Sequence, residues 1–456
     1  MKKSTKLMTS GSISKIIIAF AIPIFLGNLF QQLYNTVDSL VVGNFVNKEA
    51  LAAITSCGPL IFLLVGLFAG IFVGAGVVIS KYFGKNEPEN VKLAIHTAVA
   101  FALVSSVILT IAGYFATPFI LHLMGTPDDV YEGAKTYIQI YFLGISGLIM
   151  YNSAAGILQA MGDSKHPLYF LIVASLINII LDIVFVVYLG FGIAGTAYAT
   201  IIGQAVSAIL SYKILFKSHD LFRVNIKEIR FNKNMLKQIL SIGIPSGLQN
   251  SVISIANIFV QASVNSFGSI AMAGNGAYIR IQGFVFIPIT SFALSITTFT
   301  SQNLGAGEYD RVKKASRFSF ITAMVLSESI GAILYVFMPT LLTFFSKNPE
   351  VLAVGLSKAY LTLPFFVFLA LSHVMAGLYR GAGKSIVPMV VMFSIWCIFR
   401  VIFIVVALSI HRDIRILFAA YPITWSISSI IFIIYYFKVD WMGIKKLKIT
   451  EEQKAY

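Results

Sequence analysis

The chain has 456 residues, 57% of them hydrophobic and only 12% charged, and its mean hydropathy is +0.85. A soluble multidomain protein, with a charged fraction of about 25%, is excluded by that balance. The net charge of +15 would suit nucleic-acid binding, but the basic residues sit in loops between apolar runs, which assigns them to membrane orientation and anionic lipid instead.

Runs of about 20 apolar residues, enough to cross roughly 30 Å of hydrocarbon, recur about twelve times. In chain order they cover Ile16–Val42, Leu51–Ser80, Leu93–Leu123, Thr136–Met161, Leu168–Leu189 and Gly195–Phe216. The second half supplies Leu236–Phe267, Ala277–Leu304, Phe318–Phe345, Ala359–Tyr379, Val387–Ile410 and Ile416–Phe437. The first run follows a short basic start without a small-residue cleavage site, so it reads as a signal anchor. Basic clusters fall on alternate connections: Lys2, Lys3 and Lys6; Lys81 and Lys85; Lys217, Arg223, Lys227, Arg230 and Lys233; Arg311, Lys313 and Lys314; Lys445, Lys446 and Lys448. The intervening loops are sparse or acidic, as at Asp128, Asp129 and Glu132, and only Arg412 and Arg415 break the pattern. The expectation is a multi-pass protein of the cell membrane with both termini in the cytoplasm. Cys57 and Cys397 lie in apolar runs and read as buried thiols rather than a disulfide or metal pair.

The two halves repeat. AFAIPIFLGN around Pro23 matches LSIGIPSGLQN around Pro245, KYFGK at Gly84 answers QNLGAG at Gly305, and GILQAMGDSKHP (Gly156 to Pro167) pairs with GLYRGAGKSIVP (Gly377 to Pro388). One offset of about 221 residues relates all three pairs, which puts six spans in each half. The fold class is all-α, with twelve transmembrane helices in two pseudo-symmetric six-helix bundles. Six spans per half give parallel repeats about an axis along the membrane normal, with a central cleft. The expected organisation is a cytoplasmic N-terminus (1–15), a first lobe (16–216), a cytoplasmic linker with a short surface helix (217–235), a second lobe (236–437) and a cytoplasmic tail (438–456).

Within the first run, Asn28, Gln31, Asn35 and Asp38 are three or four residues apart and share one helix face. A charge at mid-membrane costs about 2.5 to 3.5 kcal/mol even on the lenient scale, so this face lines protein or water. The matching span carries Asn250, Ser254, Asn257 and Gln261, but Asp38 falls opposite Val260. In the fifth span Asn178 and Asp182 are four apart, and in the sixth Thr196 and Thr200 are likewise. Asp38, Asn178, Asp182 and Thr200 together offer two carboxylates, an amide oxygen and a hydroxyl. Hard oxygen ligands suit a small cation, by the ligand-type logic used for Mg²⁺ and Ca²⁺, and two neighbouring carboxylates can hold one proton between them because they resist ionising together. The alternative is a purely structural role for these acids, yet the one Lys or Arg inside the first six spans, Lys213, stands near the end of the sixth and well along the helix from Thr200.

Pro23 and Pro245 lie inside their helices and predict packing kinks. The glycine-rich AGIFVGAGV and GAGKS stretches lack phosphate-loop spacing and predict close helix packing. Tyr34, Asn152, Gln249, Tyr278 and Gln282, with the seam residues Asn28, Gln31, Asn35, Asn250, Asn257 and Gln261, are the expected cleft-lining residues. Soft methionines and aromatic faces there would accept flat cations. Glu328, the clear buried acid of the second half, is expected to pair with Arg280 or Arg400, with a secondary coupling role as the alternative.

The paired six-span halves, FQQLYNTVDSLVVGNF, AMGDSKHP, GAGKSIVP and NIILD together resemble the multidrug and toxic compound extrusion (MATE) family, from Ser14 to about Val439. The resemblance implies two lobes forming a V and antiport of sodium or protons against amphipathic, often cationic drugs, hence a role in antibiotic resistance. It implies a cation site at Asp38, Asn178, Asp182 and Thr200, and a moving bend at Pro23. Some members carry acids on the seventh and tenth helices; this chain has Asn257, Gln261 and His373 there, so a second-lobe site of that type is not expected. No enzyme activity, cofactor or nucleic-acid partner is expected, and the chain is expected to act as a monomer among membrane lipids. A lipid-linked oligosaccharide flippase of the same superfamily is the rival reading, though it calls for a more cationic cavity. A membrane-embedded prenyl transferase would need clustered aspartates, and the adjacent Asp128 and Asp129 lie in an outer loop.

Overall fold

The computed structural model describes residues 7–46, 48–218 and 222–444. The basic positions Lys2, Lys3, Lys6, Lys445, Lys446 and Lys448 lie outside the described residues. The described residues are helical with short turns. The first half holds α1 (Ile13–Phe45), α2 (Lys48–Gly84), α3 (Pro88–Leu123), α4 (Asp128–Leu143), α5 (Ile145–Ala160), α6 (Lys165–Asp182) and α7 (Gly192–Lys217). The second holds α8 (Lys233–Asn265), α9 (Ser269–Gly305), α10 (Tyr309–Thr343), α11 (Pro349–Thr362), α12 (Phe366–Gly381), α13 (Ile386–Met392), α14 (Arg400–Ile410) and α15 (Ile414–Lys438). Among the described residues eleven helices are long and apolar enough to cross a membrane, and twelve when α4 and α5, bent by 47° at their junction, count as one span. The chain is therefore an all-α, multi-pass membrane protein.

The repeat is written into the backbone. Helices α2 to α6 start at 48, 88, 128, 145 and 165, and α9 to α13 at 269, 309, 349, 366 and 386, an offset of 221 at every start. The turns repeat too. Gly162 (φ 84°) and Gly383 (φ 74°) are left-handed at matching places, and Asn86 (φ 57°) answers Gly307 (φ 78°). Asparagine is among the few residues with a side chain that tolerate that region.

Several helices begin before the apolar run that announces them. Asn348 caps α11 by accepting from the Glu350 N–H at 2.9 Å, with Pro349 in the first turn. α4 opens on Asp128 and Asp129 after Pro127. Hydropathy reports the hydrocarbon-length segment, whereas capping chemistry sets the true helix start several residues earlier in polar surroundings.

The chain divides into two compact units, one of residues 1–7 and 22–247, the other of residues 8–21 and 248–456. In the first unit, glycines of α2 and α8 meet without side chains between them: a Cβ on Gly74 would stand 2.4 Å from the Gly243 nitrogen, and one on Gly70 2.2 Å from that of Gly247. The expected close packing of the glycine-rich run is thus realised as two GxxxG faces in contact. The polar segment before α8 is laid down on α3. Phe222 and Val224 are buried, the Asn225 N–H donates to His96 Nε2 at 3.0 Å, and the Asn232 N–H donates to Thr97 Oγ1 at 3.2 Å. A short 3-10 turn, Ile226–Glu228, lies within it. In the second unit, Arg311 donates to the carbonyls of Met8 and Gly11, which fastens the start of the chain. Cys57 is buried and Cys397 half-buried, and both are free thiols.

Candidate functional site

The four predicted ligands come from three helices and lie in the first unit. Asp38 projects from α1, Asn178 and Asp182 from the last turn of α6, and Thr200 from the third turn of α7. All are buried, with Asp38 8% exposed and Asp182 fully covered. The four-residue spacing of Asn178 and Asp182 keeps them on one face. Immediately after Asp182 the helix widens into a π-helical segment, Ile183–Tyr188, a distortion that recurs at functional sites because it reorients side chains and releases backbone groups.

The carboxyls of Asp38 and Asp182 lie within hydrogen-bonding reach of each other, with Thr200 and Asn178 also beside Asp38. With its nitrogen facing Asp38, the Asn178 amide donates to Asp38 Oδ1 at 3.1 Å and accepts from the Thr200 backbone N–H at 3.3 Å. Both oxygens of Asp182 and the Thr200 hydroxyl are buried without a hydrogen-bond partner among the described residues. No basic side chain forms an ion pair with either acid among the described residues. Two carboxylates facing each other without a cation is an unstable arrangement, so the site calls for a proton shared between them or a small cation seated among their oxygens. No three His, Cys, Asp or Glu side chains converge among the described residues. The donor set thus carries two anionic ligands, which fits a monovalent ion better than the richer carboxylate shells of divalent ones.

A second layer surrounds these groups. Tyr34, one turn before Asp38 and buried, accepts a hydrogen bond from Gln204 Nε2 at 3.3 Å, and the buried Tyr137 lies within electrostatic reach of Asp38. Gln204 escaped the sequence reading, although it continues the spacing of four from Thr196 and Thr200. Thr196 is turned away from the site, its hydroxyl donating to the Ile193 carbonyl at 2.8 Å.

The other predicted residues are dispersed. Asn28 and Gln31 are half-buried and Asn35 exposed. Asn152 is half-buried and donates to the Leu148 carbonyl at 2.9 Å. Gln249 is buried against the Met392 sulfur at 2.8 Å. Asn250 and Gln282 are half-buried and Asn257 exposed. Gln261 joins an amide chain, accepting from Asn275 and donating to Asn265, both at 2.8 Å. Tyr278 has 0% exposure and its hydroxyl is engaged with Thr362 Oγ1. Pro23 and Pro245 sit inside α1 and α8.

The expected pairing of Glu328 with Arg280 or Arg400 is corrected. Glu328 makes no ion pair among the described residues, and its carboxyl folds along α10, with Oε2 3.2 Å from the place a Cβ on Gly331 would take. Arg400 instead donates to Thr424 Oγ1 at 2.7 Å and lies over the rings of Tyr421 and Trp396. Lys358 of α11, 2% exposed, was missed altogether. The apolar run starts at Ala359, so the lysine looked like the edge of a span, whereas it stands nine residues into a helix that begins at Pro349.

The family profile described as MatE matches residues 23–184 and 245–406, one copy in each half. The chain is 28% identical over 454 residues to "Probable multidrug resistance protein YoeA" of Bacillus subtilis (strain 168), covering 98% of this chain and 97% of that one. It is 29% identical over 390 residues to "Probable multidrug resistance protein YpnP" of the same strain, covering 85% and 87%. A solved structure, "Crystal structure of MATE in complex with MaL6", superposes with a TM-score of 0.89 at 22% identity, over 99% of this chain and all of that one. With the profile matched twice and the two-lobed helical fold shared, this chain belongs to the MatE family of multidrug and toxic compound extrusion transporters.

Proposed function

We propose that the protein exports amphipathic, often cationic organic compounds from the cytoplasm by antiport with sodium or protons. The observation that carries this reading is the pair Asp38 and Asp182, buried beside Asn178 and Thr200 in the first unit and without a basic counter-charge among the described residues. The names of the relatives supply the substrate side: both are described as multidrug resistance proteins. In the cycle, a cation arriving from outside binds between the two carboxyls and favours the conformation that releases drug outward. It then leaves to the cytoplasm as drug binds again. The ion must prefer one conformation to shift the equilibrium, and in this reading Asp38 reports its occupancy through a bend of α1 at Pro23, the proline inside that helix. Both termini face the cytoplasm in this reading.

The test is ethidium accumulation in cells expressing the wild type or Asp38→Asn, measured across sodium concentrations at fixed pH and across pH at fixed sodium. The wild type is expected to lower accumulation in an ion-dependent manner, and the titration that moves it names the ion. Full-rate efflux by Asp38→Asn would remove the coupling role from that residue. No effect of expression under any condition would favour the oligosaccharide flippase.

A further inference from the structure

The second unit buries charge of the opposite sign. Lys358 is 2% exposed and Arg400 1%. Lys358 Nζ donates to Asn275 Oδ1 at 2.7 Å, the one hydrogen-bond acceptor it meets among the described residues. It stands 5.2, 5.6 and 4.8 Å from the ring centroids of Tyr278, Phe418 and Tyr421. The Arg400 guanidinium is 4.6 Å from the Tyr421 centroid, so one ring serves both cations, and 5.6 Å from that of Trp396. Its Nε–H meets no acceptor. No Asp or Glu pairs with either among the described residues.

The surroundings are built for charge. An ammonium among three aromatic faces is attracted to their negative faces, and the amide chain from Asn275 through Gln261 to Asn265 orients an oxygen toward it. Aromatic faces and neutral oxygens still leave two like charges uncompensated in a buried place, where an ion without a counter-ion is strongly destabilising. Arg400 also follows directly on a π-helical segment, Phe393–Phe399, as Asp182 precedes one in the first unit, and such segments mark functional positions.

From this geometry we infer that Lys358 and Arg400 form a binding site for a monovalent anion, with the unpaired Arg400 Nε–H and the remaining Lys358 N–H groups as donors. A halide ion and the carboxylate of an organic acid share that chemistry, and the experiment separates them. The inference stands apart from the cation-coupling reading, since its readout is binding to the second unit and not transport.

Trp396 is the reporter. The full-length protein in detergent is titrated with iodide at constant ionic strength against gluconate, following tryptophan emission, and in parallel its melting temperature is followed with chloride and with benzoate. A saturable quenching component is expected in the wild type and absent in Trp396→Phe. It is expected to weaken by about 10- to 100-fold in Arg400→Gln and Lys358→Met, the loss that follows from removing one charge-assisted hydrogen bond. Lys358→Arg restores charge and is expected to restore binding, which separates ligand loss from misfolding. Chloride displacing iodide and raising the melting temperature assigns the site to inorganic anions; benzoate doing so at lower concentration assigns it to organic carboxylates. Purely linear quenching with no melting shift from either anion overturns the inference, as does a saturable response undiminished in both Arg400→Gln and Lys358→Met.

Discussion

Asp182→Asn is the most informative single change. It keeps the size of the side chain and one oxygen, removes one of the two facing carboxyls, and leaves the fully covered position otherwise packed as before. A cation that binds the folded site stabilises it by RT ln(1 + [L]/Kd), about 2.7 kcal/mol at a hundred times Kd. For a unit of roughly 200 residues each kcal/mol moves the midpoint about 2–4 °C, so saturating cation is expected to raise wild-type unfolding by roughly 5–10 °C. Asp182→Asn is expected to keep less than about 2 °C of that shift, because a lone Asp38 with amide and hydroxyl neighbours holds the ion too weakly to saturate. In the proposed antiport the same ion drives export: a membrane potential near 100 mV contributes about 2.3 kcal/mol per charge and a tenfold gradient about 1.4 more, enough for roughly 10²- to 10³-fold accumulation of a neutral solute. In everted vesicles the variant is expected to fall to equilibration without accumulation. The assay is thermal unfolding in sodium and pH titrations, with dye transport on the same preparations. If Asp182→Asn retains the full ion-linked shift in both titrations, the pair is structural and the coupling argument fails.

Three further outcomes follow from the first unit. Gly74→Ala places a Cβ 2.4 Å from the Gly243 nitrogen and 2.5 Å from its Cα; backbone cannot yield as a side chain can, so a loss of about 1–3 kcal/mol is expected in thermal unfolding, against little change for Gly283→Ala, where nothing lies within 4 Å. Asp163→Ala removes the acceptor for the N–H groups of Lys165 and His166 at 3.1 and 3.2 Å and the contact to the His166 ring; a helix-capping loss of roughly 0.5–2 kcal/mol is expected, read as a lowered midpoint in chemical denaturation. His96→Ala strips the acceptor from the Asn225 N–H; faster amide exchange across 222–232 is expected, with a stability cost of roughly 1–3 kcal/mol for a donor left unmet, and unchanged exchange there would detach the histidine from the linker's anchoring.

Much of the architecture was legible because two periodicities carried it. Hydrocarbon-length runs located the helices, and the repeat offset survives as the shared helix starts. Spacing of four placed Asn178 with Asp182, and residues of one helix face travel together whatever the neighbours do. What spacing cannot encode is the rotation of one helix against another. Glu328 reads as buried on its own helix, yet which arginine it would meet depends on α10's azimuth, and it pairs with none among the described residues. Lys358 was hidden for a different reason: its stem is apolar enough to sit at the edge of a hydropathy window, while the residues that fix its depth, Asn348 and Pro349, are capping signals rather than hydrophobic ones. Gln204 was readable by extending the spacing already used for Thr196 and Thr200.

The deeper lesson lies in what the repeat does not copy. The halves share helix starts and left-handed turns, so much of the backbone is duplicated, but Asp38 has Val260 as its counterpart and the second unit buries the cations Lys358 and Arg400. Two identical carboxylate sites would respond to one ion twice and bias both halves alike. A half that attracts cations and a half that attracts anions respond to different ligands, and each ligand can shift the conformational equilibrium only through the half it binds. If both proposed sites hold, charge divergence on a duplicated scaffold separates the ion that drives the proposed cycle from an anion bound in the other half.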